Sequence, residues 1–269
     1  MRKRASKPAV RGTVSPEEIA TWAAPVARRW RTQRELAPVS LATMRGIEAK
    51  AHRLGRTGAQ LLASGGAAIA ELAGALAAGR VRDGRAAAGA PIFLLIGGGA
   101  ESALALEAGL LLAAGGADVV VGLCSTRARP EHLAASVAWD RLETLKRARR
   151  YRIPDLREAA HFRAGIDEVA LVIEALGSAT GAVVPPLPTQ AGIDLVRRAR
   201  ATGVPCLAVM SPVGLDPETG ARRRGAPGAD ATIVLHRPIE TLLAEEARHL
   251  VGQLLVAPVD LPRDADTTA

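Results

Sequence analysis

The sequence predicts an α/β domain in which a mainly parallel sheet lies between two layers of helices. Three observations carry that prediction. From residue 91 onward short apolar runs alternate with helical stretches. The runs are continuously apolar, as strands buried on both faces are. Glycine-rich or proline-rich loops follow the carboxyl ends of several runs. Alternation of this kind implies parallel pairing through right-handed crossovers, the layout of a three-layer αβα, Rossmann-like fold.

Taken in order, residues 1–14 are basic and punctuated by Pro8 and Gly12, and read as a disordered arm. Ser15-Pro16-Glu17-Glu18 supplies a capping hydroxyl, a proline at the first helical position and acids in the first turn, and predicts a helix to about Glu35. Further helices are expected from Leu41 to Leu54 and from Thr57 to Ala78, each closed by a glycine. Strands are expected at 91–96, 118–123, 169–176, 204–209, 232–235 and 254–259. Helices are expected at 100–114, 130–150, 189–202 and 239–250. The implied division is an arm at 1–14, a helical extension at 15–39, the domain at 40–262 and a polar tail at 263–269.

Composition narrows the function classes. Hydrophobic residues make up 48% of the chain but aromatic ones only 2%, so a surface that stacks bases on aromatic side chains is not expected. Cys124 and Cys206 are too few for a disulfide framework and read as buried thiols of a cytoplasmic protein. No uninterrupted run of 18 apolar residues occurs, so no membrane partner is expected. The net charge of +8 is uneven, with thirteen Lys/Arg against four Glu in residues 1–60. A solvated arm with arginine-rich helix faces is preferred there over contact with nucleic acid.

In a doubly wound sheet ligands meet the carboxyl ends of the strands, which singles out three loops. Gly97-Gly98-Gly99, between a strand and a helix, is where backbone amides could cradle a phosphate, although Glu101 in the first helical turn would repel one. The second loop, Glu174 to Gly181, offers a carboxylate at a strand end followed by Gly177, Ser178 and Thr180. It suits a cation or a ribose hydroxyl, or a turn capped by a surface carboxylate. The third, Met210 to Gly220, contains Gly214 and the turn-forming pair Asp216-Pro217.

These three loops, in this order, resemble those of the YjeF N-terminal domain family, the NAD(P)H-hydrate epimerases. The segments that carry the likeness are Gly97-Gly98-Gly99, Glu174-Ala175-Leu176-Gly177, Ala208 through Asp216 with Thr219-Gly220, and Ala229-Asp230-Ala231-Thr232. Met44-Arg-Gly-Ile-Glu48, Leu61-Leu62 and Gly66 fit the family's N-terminal part, so the likeness spans residues 40–262. The resemblance implies a three-layer αβα domain, a homodimer, a hydrated NADH or NADPH substrate, and a potassium ion held between the loops.

Carried over residue by residue, the resemblance also implies losses. The family's two asparagines fall on Ala100 and Glu101, and the aspartate of that motif on Leu104. Its potassium-binding aspartate falls on Glu174, its catalytic aspartate on Met210 and its serine ligand on Val213. A methionine exchanges no proton, and a general acid or base is worth roughly 10²–10⁴ in rate. Asp216 is the nearest carboxylate that could substitute. The expected function is that of a degenerate member that binds a nucleotide-like ligand or a protein partner, as a decapping-scaffold branch of the family does. The alternatives are an active epimerase and a nucleic-acid-associated module built on the basic N-terminus. The dehydratase domain often fused to this family is not expected here.

Overall fold

A computed structural model describes residues 13–82, 85–86, 89–177 and 184–266. The arm at 1–12, and with it the disorder expected there, lies outside the described residues, as do Ser178, Thr180 and Gly181.

The chain opens with α1 (Pro16–Arg29), whose capping box is complete: the Glu18 amide donates to Ser15 Oγ and the Ser15 amide to the Glu18 carboxylate. The single helix expected to Glu35 divides at Trp30, and α2 is the short turn Arg31–Arg34. Next come α3 (Leu41–Arg53) and α4 (Gly58–Gly79), then a two-residue antiparallel ladder of β1 (Val81–Arg82) and β2 (Arg85–Ala86). By length and composition α4 could cross a membrane. Its glycines instead mark close helix contacts: a Cβ on Gly66 would lie 2.8 Å from Glu107, and one on Gly79 would strike the Trp22 ring.

The sheet begins with β3 (Ile92–Ile96) and its helix α5 (Glu101–Ala114), followed by β4 (Val119–Leu123), α6 (Leu133–Glu143), β5 (Ala148–Arg152) and α7 (Leu156–Arg163). It continues through β6 (Leu171–Ala175), α8 (Leu187–Ala201), β7 (Cys206–Val209) and β8 (Ala231–Leu235). The last elements are α9 (Glu240–Leu243), α10 (Arg248–Val251) and β9 (Gln253–Ala257). Seven strands lie in the order β5-β4-β3-β6-β7-β8-β9, and every pair is parallel. From β3 the chain moves out to β5 and then returns to β6 at the centre, which places the topological switch between β3 and β6.

Strand alternation sorts the core into two layers. Ile92, Leu94 and Ile96 pack with α1, α4, α5 and α6, whereas Phe93, Leu95 and Val172 pack with α7 and α8. A third apolar cluster joins Val39, Leu215, Val234 and Leu250 beneath α9 and α10.

Three further expectations are corrected. Residues 130–150 are not one helix: α6 ends at Glu143 and the arginine-rich segment after it is an edge strand. Paired only with β4 among the described residues, this strand keeps its cations in solvent or folds them back. Arg150 donates to the Trp139 carbonyl at 2.6 Å and lies 4.9 Å from that ring's centroid. The helix expected at 239–250 is broken at Ala244, which adopts ψ 140°. Residues 263–266, read as part of a polar tail, are docked. Ala265 is 2% exposed against Ile47 and Ala51, and Asp266 accepts from Arg237 Nε at 2.5 Å and pairs with His236 Nε2 at 2.7 Å.

Candidate functional site

The three loops meet at the carboxyl edge on either side of the switch point, drawn together by contacts of individual residues. In the first loop the ladder runs one step past the strand, with the Gly97 amide donating to Ala175 O at 2.9 Å. A Cβ on Gly97 would lie 2.7 Å from the Leu176 carbonyl oxygen, so only glycine allows the two loops this approach. The fully buried Ser102 then stitches them. Its hydroxyl lies 2.9 Å from Gly97 O and 3.1 Å from Ala175 O, one bridge to the end of each strand. Ser102 escaped the sequence reading because a serine two residues into an alanine-rich helix carries no motif.

Gly98 and Gly99 are exposed, and α5 begins without a side-chain cap, since Ala100 stands at that position. Glu101 takes over the role of an anion at the positive helix end. Its Oε2 sits 2.5 Å from where a Gly99 Cβ would be and 4.0 Å from that of Gly177. The carboxylate therefore spans the first and second loops at the place where a phosphate would be cradled. Leu104 packs into the Gly65 notch of α4, as an apolar packing residue would.

Glu174 ties the second loop to the third. It is fully buried, and its Oε1 accepts the Val213 amide at 2.7 Å while Oε2 accepts the Leu176 amide at 3.4 Å. Burial pushes its pKa up from 4.5 to about 7; the two amides oppose that rise and the charge of Glu101 adds to it. Burial likewise pushes the neighbouring Cys124 thiol up to about 12, with the Glu174 charge adding to it, so that cysteine is an inert thiol.

In the third loop Met210 follows β7 directly and adopts φ +67°, a region that non-glycine residues seldom enter. Its amide donates to Ile233 O at 2.8 Å and the Ser211 amide returns to Val209 O at 2.9 Å, closing a three-residue γ-turn. The methionine side chain is partly buried against the core. His236 repeats the device after β8, with φ +67° and the Arg237 amide on Leu235 O. Gly177 and Gly214 also have positive φ, 77° and 89°. Asp216 is engaged locally: its Oδ1 accepts the Glu218 amide at 2.8 Å and the Thr219 amide at 3.3 Å, as the carboxylate of a turn.

The loops thus bring together Gly97 with Leu176, Glu101 with Gly177, and Glu174 with Val213. These residues do not suit potassium. Ala100 and Val213 lack side-chain oxygens, and both oxygens of Glu174 already receive amides. No group of three His, Cys, Asp or Glu suited to a metal occurs among the described residues. A groove lined by Arg163, Asp194 and Arg198 lies between α7 and α8, away from these loops.

With this geometry in hand, the likenesses to known proteins are these. Residues 58–241 match the family described as YjeF-related protein N-terminus. The bifunctional NAD(P)H-hydrate repair enzyme Nnr of Pyrobaculum aerophilum is 42% identical over 62 residues, which cover 23% of this chain and only 12% of that enzyme. The crystal structure of yeast ynu0 (YNL200c) superposes with a TM-score of 0.67 at 16% identity, covering 86% of this chain and 92% of the yeast one. That likeness shows the fold, including the three-layer arrangement expected from the sequence.

Proposed function

The chain belongs to the YjeF-related protein N-terminus family, and from that premise we propose that it is a member that acts by binding and does not epimerise hydrated NADH or NADPH. The observation that carries this reading is Met210. It stands in a left-handed turn at the position where the resemblance places the family's catalytic aspartate, yet offers no proton to exchange. The closed seam between β3 and β6, with Glu101 laid across it, supports the same reading. A nucleotide-like ligand would meet the loops from outside this seam, and a protein partner would not need the seam at all.

One observation favours a second reading, an active epimerase whose acid/base is Glu174. Its pKa of about 7 suits proton transfer at neutral pH. The side chain is nevertheless fully buried behind the Val213 and Leu176 amides, out of reach of a substrate carbon. The deciding experiment incubates the purified chain with epimer-mixed hydrated NADH and a separate dehydratase that consumes one epimer. Binding without epimerisation predicts that consumption of the second epimer stays at the spontaneous rate. Accelerated consumption that is abolished in Glu174→Gln would establish the second reading instead. A thermal-shift series with NADH, ADP-ribose and AMP then reads ligand binding directly.

A further inference from the structure

The edge strand β5 carries features that the loop site does not use. Residues 146–152 read Lys-Arg-Ala-Arg-Arg-Tyr-Arg, five cations in seven positions without an acid. Between residues 126 and 157 nine Lys/Arg face four Asp/Glu, so this end of the sheet carries an excess of positive charge. Arg147 is paired with Asp118 at 3.0 Å and Arg150 with Glu143 at 2.7 Å. Lys146, Arg149 and Arg152 are exposed and have no carboxylate partner among the described residues.

The backbone of the same strand is open on one side. The Val119 amide donates to Arg147 O and the Ile153 amide to Leu123 O, which fixes the odd-numbered residues as those that bond to β4. Arg150 and Arg152 therefore direct both N–H and C=O outward, at the end of the seven-strand order. Arginines commonly guard such edges against self-pairing. A second copy would set the same five cations against these five, and an apolar strand would leave them unpaired. A strand carrying carboxylates satisfies both the backbone and the charge.

We infer that β5 is a docking edge for an extended acidic segment of a partner protein, which adds to the sheet as an eighth strand. Outward amides supply affinity, and Lys146, Arg149 and Arg152, which have no carboxylate partner among the described residues, select for acid. This inference does not depend on the state of the loop site.

The test uses the full chain and a fluorescent eight-residue peptide of alternating Glu and Val, capped at both ends. The comparators are its Lys-Val counterpart, the same Glu-Val peptide with every amide N-methylated, and a single-stranded oligouridylate. The expected result is saturable, salt-sensitive binding of the Glu-Val peptide. Binding should be at least tenfold weaker for the methylated and Lys-Val peptides, and new protection of the Arg150 and Arg152 amides should appear in hydrogen exchange. The double variant Arg149→Glu/Arg152→Glu should lose at least tenfold while keeping the wild-type melting temperature. Because both side chains are exposed, a fall in that temperature is not expected, and the exchange pattern of the unmutated chain reads the edge independently of the variant. Equal binding of the methylated peptide, or tighter binding of the oligouridylate to the same arginines, would overturn the inference in favour of a plain polyanion surface.

Discussion

Replacing Glu174 by Gln should make the protein more stable above neutral pH and slightly less stable in acid. The carboxyl is fully buried, and burial raises its pKa from 4.5 to about 7 despite two accepting contacts. Between those values the folded chain keeps a proton that the unfolded chain has released, so stability falls as pH rises through that window. Below pH 4.5 both states are protonated and the penalty vanishes; above pH 7 it is complete. At about 1.4 kcal/mol per tenfold, the full penalty is about 3 kcal/mol. Gln keeps a carbonyl oxygen for the Val213 amide at 2.7 Å and gives up the weak 3.4 Å contact from Leu176, a loss of about 1 kcal/mol. The variant should therefore gain about 2 kcal/mol at pH 8 and lose about 1 kcal/mol at pH 4.5. Urea unfolding followed by tryptophan fluorescence at several pH values reads both numbers. Asp230, whose pKa burial also raises, titrates in both proteins and cancels in the difference. A variant less stable than wild type at pH 8, or a difference that does not change with pH, refutes the reasoning.

Three further outcomes are expected. Gly97→Ala pushes a methyl to 2.7 Å from the Leu176 oxygen, an atom of the backbone that cannot swing aside, and should cost about 1–3 kcal/mol; an unchanged melting temperature would show that the seam is looser than described. Ser102→Ala removes the hydroxyl between Gly97 O and Ala175 O and should cost about 1–2 kcal/mol, with faster exchange of the Gly97 amide as the specific sign. Asp266→Ala strands the Arg237 guanidinium, 5% exposed, beside His236, and should cost about 3 kcal/mol in chemical unfolding. A loss under 1 kcal/mol there would mean that solvent reaches Arg237.

The central strands were legible because burial on both faces leaves a continuous apolar signature, as in Ile92–Ile96 and Cys206–Val209. The edge strand was not, since five cations in seven residues resemble a solvated helix until β4 is known to be its neighbour. The break at Ala244 has neither Gly nor Pro to announce it. At the site, the positions of the three loops followed from topology and motif, with Met210 directly after its strand. What the sequence could not convey was reach. Glu174 meets the Val213 amide from 39 residues away, and Asp266 finds Arg237 from 29 residues away. Both depend on distances that spacing along the chain does not encode.

The docked segment at 260–266 bears on how the molecule is made. It supplies Ala265 to the Ile47–Ala51 face of α3, and Asp260 meets Arg56 across 204 residues of sequence. Contacts of such long range are slow to form, because the intervening loop must close first. During synthesis α3 lacks part of its packing until residue 265 has left the ribosome. The helix is thus made well before the segment that completes its packing, and in the interval its Ile47 face is open to whatever chaperone or neighbouring chain is near.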